Sequence, residues 1–221
     1  MWPQRIPNRQ RSDDRLAITD QRRATTKLNE GLRHYQKRQY ALAIARFLEA
    51  RAMYEASGNS SSLADLARYI GAAYLETQLY EQANAELTKA YAYYKTRWDR
   101  RADAALCAKG AGDALTELDK YDGALFYYEA AKRLFEKARL KAEVAKCDLA
   151  LGRTLQSEER NDEALSTLEC AARGFTDCAL DDEAAQAYQL MADINAAIGR
   201  YAASAEFERQ AKRTRPRSRS W

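Results

Sequence analysis

A small residue returns at a nearly constant interval along this chain: Gly31, Gly71, Gly112, Gly152 and Ala192, separated by 40, 41, 40 and 40 residues. Twelve residues after each stands another small one, Ala43, Ala83, Ala124, Ala164 and Ser204, and nineteen after each stands an alanine, Ala50, Ala90, Ala131, Ala171 and Ala211. Nine after comes tyrosine in four of the five, Tyr40, Tyr80, Tyr121 and Tyr201, with Asn161 as the exception. Sixteen after comes a large apolar residue, Phe47, Leu87, Tyr128 and Leu168, until Glu208 departs and Phe207 beside it substitutes. A period of this length describes a supersecondary unit that cannot bury its own apolar face and must stack on copies of itself.

The absences say what the unit is made of. Pro3, Pro7 and Pro216 are the only prolines, so nothing from Ala24 to Ala211 forbids helix. Good helix formers dominate and alternating β-branched runs are missing, which makes the fold class all-α. Two helices of one unit cross at about 8 to 10 Å, and a bulky side chain at the crossing would hold them apart. Gly112 is therefore expected to face Ala124, with Tyr121 and Tyr128, two turns apart on the second helix, filling the space beside the crossing. On that reading the run Leu125, Phe126, Tyr127, Tyr128 is packing rather than a cofactor pocket. Ser62 and Asp65 have capping-box spacing and predict a helix start near Leu63. Asn161 or Asp162, and Asp181 or Asp182, are expected at two further starts.

The ordered set of small, aromatic, small, large apolar and alanine positions resembles the tetratricopeptide repeat. It covers about Ala24 to Arg213 as five consecutive units. At about 40 residues per unit the chain is similar to the elongated variants found in kinesin light chains, rapsyn, the Pins/LGN and SNAP adaptors and the bacterial Rap-type regulators. The resemblance implies a right-handed α-solenoid of five helix-turn-helix repeats, between an N-terminal arm at residues 1–23 and a basic tail at residues 214–221.

Chemistry-bearing motifs are sparse. No apolar run approaches the roughly 18 residues of a membrane span, and "MWPQRIPNRQRSDD" lacks the apolar segment of a secretory signal, so a cytoplasmic protein is expected. Cys107, Cys147, Cys170 and Cys178 contain no CxxC pair and the single histidine, His34, is remote from them, so neither a metal nor another cofactor is expected. His34 falls where the other units carry Tyr74, Leu115 and Leu155, which favours packing over catalysis. Cys107 and Cys147 occupy equivalent positions in neighbouring units; they read as small apolar residues, with a redox pair as the alternative. "KGAG" at Lys109 to Gly112 lacks the lysine and hydroxyl of a phosphate loop, and no catalytic residue is expected.

What remains is a surface. The resemblance places Arg68, Tyr69, Lys109, Asp113, Lys146, Arg153, Gln189 and Asp193 on a concave groove lined by the first helices, with Glu76 and Glu117 on an acidic edge. Such a groove would dock a protein or peptide partner carrying an acidic segment, or its charges are simply solvated. Where the chaperone-tail clamp of this family wants lysine and asparagine in the first unit, this chain has Leu28 and Leu32. The termini are basic: residues 1–26 carry net +3 and residues 207–221 net +5, against net -4 for the repeat body. "RTRPRSRSW" reads as a disordered end, as a contact to an acidic partner or RNA, or as a phosphorylation target at Ser218 or Ser220. A non-enzymatic adaptor is the leading expectation. A nucleic-acid-associated scaffold using the basic termini is the alternative, and a regulator whose segment Arg15 to Ile18 folds back on the stack is a third. The end faces of a stack leave homo-oligomerisation open.

Overall fold

The computed structural model describes the backbone of residues 8–214 and the side chains of residues 19–214. Among these are ten α-helices and no strand: α1 Asn8–Gln36, α2 Tyr40–Ala56, α3 Ser60–Glu76, α4 Tyr80–Tyr94, α5 Arg101–Glu117, α6 Tyr121–Lys137, α7 Lys141–Ser157, α8 Asn161–Asp177, α9 Asp181–Ala197 and α10 Tyr201–Thr214. They form five pairs of a TPR-like helical repeat. The chain divides into two compact units, one up to Ala90 and one from Tyr91 onward, with the division inside α4. In the first, α1 packs on α2 and α2 on α3, and Leu87 of α4 lies against Gly71 of α3. In the second, α5 to α10 pack each on the next. The expected start of the repeat region, Ala24, lies inside α1. The N-terminal residues 1–7, the side chains up to Ile18 and almost all of the basic tail fall outside the described residues. No described helix is long and apolar enough to cross a membrane.

The crossing glycines do their expected work against a different neighbour. A Cβ at Gly112 would come within 2.7 Å of the Tyr128 ring, so the residue sixteen positions on presses on the glycine, rather than Ala124 at twelve. The same holds for Gly31 under Phe47 at 2.5 Å, Gly71 under Leu87 at 2.6 Å and Gly152 under Leu168 at 2.6 Å. The fifth unit carries Ala192 where its sixteenth residue is the exposed Glu208, and there Phe207 joins the core beside Tyr188, ring centroids 6.5 Å apart. Two periodic core positions extend the pattern. Twenty-three residues after the small residue stand Tyr54, Tyr94, Phe135 and Phe175, all buried, and seven before it stand Ala24, Ala64, Ala105, Ala145 and Ala185, all buried. Each aromatic contributes about 2 to 3 kcal/mol of transfer free energy. Phe126, in contrast, is 64% exposed, so the expected aromatic cluster of α6 is only partly packing.

One turn design repeats through the chain. Between consecutive helices a single residue takes a left-handed conformation, at Arg38, Gly58, Gln78, Asp119, Arg139, Glu159, Ala179 and Gly199, with φ between 55° and 77°. The next amide bonds back five residues, as in Leu180 N to Phe175 O at 2.9 Å, which closes the helix in the Schellman manner. The residue that closes one helix then precedes the next, and only three residues separate the helices. This alters the expected caps. The first helix of the second pair, α3, starts at Ser60, capped by Asn59, whose side chain accepts from Ser62 N at 3.1 Å, rather than near Leu63. Asn161 and Asp181 are the first residues of α8 and α9, preceded by Arg160 and Leu180, which make no side-chain cap.

The α4–α5 connection departs from this design and explains the one interval of 41. It holds a 3-10 turn, Trp98–Arg100, and no left-handed residue. Instead the Arg97 guanidinium lies 3.5 Å over the Tyr93 ring and donates to Tyr93 O at the end of α4.

A left-handed conformation costs a residue with a Cβ about 1 kcal/mol, whereas glycine adopts it freely. Ala179→Gly is therefore expected to raise the unfolding free energy by about 0.5 kcal/mol and Gly199→Ala to lower it by about 1 kcal/mol. Urea unfolding midpoints of the two variants should move in opposite directions.

Candidate functional site

The first helix of each pair carries the polar residues that the repeat register puts on one face, and the structure groups them in an unexpected way. In the unit up to Ala90, the Arg68 guanidinium stacks on its neighbour Tyr69, 4.3 Å from the ring centroid, and Tyr69 in turn stacks on Phe47 at 5.7 Å. Arg68 thus lies over an aromatic platform, a contact suited to the weakly hydrated guanidinium. Glu76 is exposed at the end of α3 and acts on Tyr35, whose phenol is raised above its ordinary value first by burial and then by this carboxylate.

In the unit from Tyr91 onward, Lys109 and Asp113 were both expected to line the groove as separate charges. They are instead joined in one ion pair across a helical turn of α5, at 2.8 Å. Four-residue spacing puts two long side chains on the same face, so attraction closes the pair. Asp113 also accepts from the Tyr128 hydroxyl of α6 at 2.9 Å. Tyr128 is 3% exposed, and its phenol is pushed well above the ordinary range, first by burial and next by the Asp113 charge. Thr116 Oγ1 lies 3.3 Å from that hydroxyl and 3.3 Å from Thr154 Oγ1 of α7. Lys109, Asp113, Tyr128, Thr116 and Thr154 therefore form one polar network tying three helices together.

Lys146 pairs with Glu143 at 2.7 Å, so it too is partly neutralised. Arg153 differs: it is exposed on α7, and no ion pair among the described residues engages it. It borders a depression of about 510 Å³ whose far wall is α9, lined by Asp182, Glu183, Gln186, Gln189 and Leu190. Gln189 Nε2 donates to Asp193 Oδ1 at 3.0 Å, placing both predicted α9 residues beside this depression. Of the predicted residues, Arg153 and Gln189 come together, with Asp193 bonded to Gln189; Lys109 and Asp113 pair with each other; Arg68 and Tyr69 pair with each other. Glu117 is exposed at the end of α5.

Sequence reading missed Thr116, Thr154 and Gln186. A threonine in the turn after a crossing glycine, four residues on at Thr116 and two on at Thr154, was the available signal for the first two. His34 is half-buried at the end of α1 and bonds Gln39 Oε1 through Nδ1 at 2.8 Å, a closing contact of the helix. Cys107 and Cys147 are buried, whereas Cys170 is exposed and Cys178 half-buried. Burial pushes the Cys147 thiol up to about 12, with Lys109 opposing the shift.

Among solved structures, the apo form of RapI superposes with a TM-score of 0.81 at 11% identity, over 87% of this chain and 70% of RapI. A Rap protein complexed with competence and sporulation factor gives 0.66 at 17% identity, over 85% of this chain and 52% of that one. MamA protein gives 0.67 at 17% identity, over 86% of this chain and 91% of MamA. The chain thus spans about half to two thirds of the Rap lengths and nearly all of MamA. These likenesses establish the TPR-like fold. No family model matches the sequence, and no curated protein does.

Two outcomes follow from this geometry. Tyr128→Phe removes a hydrogen bond to a charged acceptor while keeping the ring on Gly112, and should cost about 1 to 2 kcal/mol in urea unfolding. A thiol reagent at pH 8 should modify Cys170 first and Cys178 more slowly, with Cys107 and Cys147 reacting only once denaturant opens the core; mass spectrometry of the labelled peptides gives the order.

Proposed function

We propose that this chain is a cytoplasmic, non-catalytic adaptor that binds an extended segment of a protein partner on the first helices of the unit from Tyr91 onward, with the α7–α9 depression as the principal contact. The observation that carries the reading is Arg153, an exposed guanidinium with no ion pair among the described residues, beside Gln186, Gln189 and Leu190. A carboxylate of the partner satisfies Arg153 through paired N–H donors. The glutamine amides, each a donor and an acceptor, suit the backbone of an extended peptide, and Leu190 offers an apolar contact. Asp182 and Glu183 on the same wall repel a second acidic residue, so the partner's acidic position is limited to the Arg153 end. Orientation then follows from charge.

A Rap protein of the same fold was solved with competence and sporulation factor bound, and another with the Phr* peptide. Both support peptide recognition as a use for this fold. A further neighbour, aspartyl phosphate phosphatase F from Bacillus subtilis, is named for an activity. Dephosphorylation of an aspartyl-phosphate protein by the purified chain would overturn the non-catalytic part of the reading.

The decisive experiment selects peptides from a random displayed library on the wild-type chain and measures their affinities against Arg153→Glu and Gln189→Ala, both checked for unchanged melting temperature. Arg153→Glu is expected to weaken acidic binders at least about tenfold, and Gln189→Ala less. Selected peptides that bind all three proteins equally would place recognition elsewhere.

A further inference from the structure

The α4–α5 connection, the one that abandons the three-residue turn, combines an open ring with unspent positive charge. Six residues, 95–100, stand between α4 and α5, and among them Trp98 is 77% exposed, more than any other large apolar side chain of the described residues. A ring left this open contributes little to the core. Cations flank it in sequence. Arg97 is held by Tyr93, over whose ring it lies at 3.5 Å, while Lys95 and Arg101 are exposed. No ion pair among the described residues engages any of these three, whereas Arg100 pairs with Asp103 at 2.6 Å.

The next turn on the same edge continues the charge. α7 starts 40 residues after α5, and one core cluster joins Ala105, Phe135, Val144 and Cys147, so the turns that precede α5 and α7 lie at the same end of neighbouring helices. Lys137, Arg139 and Lys141 stand there, all exposed and again without an ion pair among the described residues. Helical spacing supplies no partner, because three and four residues to either side of Arg101, Lys137 and Lys141 there is no carboxylate. Asp99 and Glu136 on these turns, and Asp177 across from the second, oppose the six cations and leave an excess of three positive charges, in a repeat body whose net charge is -4.

We propose that these two turns bind single-stranded nucleic acid, a base stacking on Trp98 while Arg97, Arg101 and the cations of the second turn take the adjoining phosphates. Three kinds of polyanion answer the charge, and the surroundings separate them. An anionic bilayer wide enough to cover both turns would also meet Asp181, Asp182 and Glu183, which start α9 another 40 residues on, and would be repelled. A run of carboxylates in a protein would satisfy the cations and leave the Trp98 face bare. A single strand carries a flat ring beside each phosphate, so ring and charge are met together, and stacking on an aromatic accepts any base. The site is separate from the peptide depression: Arg153 stands twelve residues along α7 from Lys141, about 18 Å. Either reading can fail alone.

The full chain with Trp2→Phe and Trp221→Phe keeps Trp98 as its only tryptophan and makes the test direct. A twelve-residue oligothymidylate should quench its fluorescence, and an abasic strand of equal length and charge should bind several-fold more weakly. In the otherwise unaltered chain, with binding read from the anisotropy of a labelled strand, Trp98→Ala should weaken the oligothymidylate at least about fivefold and make it equal to the abasic strand, while Trp98→Phe recovers part of the loss. Arg101→Ala/Lys141→Ala should weaken both strands alike and reduce the slope of log affinity against log salt by about 1.4. Trp98, Arg101 and Lys141 are all exposed, so the variants should keep the melting temperature of the wild type. Absence of quenching, or oligothymidylate binding that survives both the Trp98→Ala and the double substitution, would overturn the site and assign any affinity to the basic termini. A twelve-residue polyglutamate that binds as tightly and loses as much in Trp98→Ala would overturn the nucleic acid in favour of an acidic protein segment.

Discussion

The fold depends on how closely two helices of a pair can approach. At each of four crossings a glycine lies under a large ring or leucine from the partner helix, with no room for even a methyl group. That contact sets the separation of the helices, and the alanines seven before and nineteen after each crossing keep the adjoining faces equally thin. The buried aromatics at Tyr54, Phe135 and Phe175 each join a core cluster within its own unit. Small and large positions are two halves of one constraint: Ala192 stands where its opposite number is the exposed Glu208.

A turn of fixed length transmits this spacing along each compact unit. Because a left-handed residue ends one helix and the very next residue precedes the following one, little slack separates a crossing from the next. Six of the eight left-handed positions are not glycine, so tertiary packing holds residues in a conformation that their own preferences oppose. Where the turn changes, at Trp98–Arg100, the period changes with it, and an arginine takes over the closing of the helix.

Charge is largely spent inside the repeat. Lys109 with Asp113, Lys146 with Glu143 and Arg68 on Tyr69 each settle against near neighbours. A row of basic residues in a linear pattern is therefore a poor measure of a basic surface, since helical spacing that aligns like residues also aligns each with its counter-charge. Arg153 stands out because its four-residue neighbours, Leu149 and Ser157, offer no carboxylate. In the fourth repeat the same logic reaches the core, where the buried Asp148 is paired with Lys132 of α6 at 2.6 Å.

The sequence alone determined the helical class, the five units and the crossing positions, because a 40-residue period in small and large side chains records packing distance directly, and its order of positions carried the resemblance to a TPR-like fold. It also marked the first-helix residues from which Arg153 and Gln189 emerged. Tertiary structure alone decided that Tyr128, rather than Ala124, presses on Gly112, that Phe126 is exposed, that Lys109 and Asp113 neutralise each other, and that Lys132 pairs with the buried Asp148. The division has a physical cause. Periodicity fixes which face of a helix is buried, whereas the partner of a side chain depends on rotamers and on atoms from helices about 40 residues away, which no local pattern encodes.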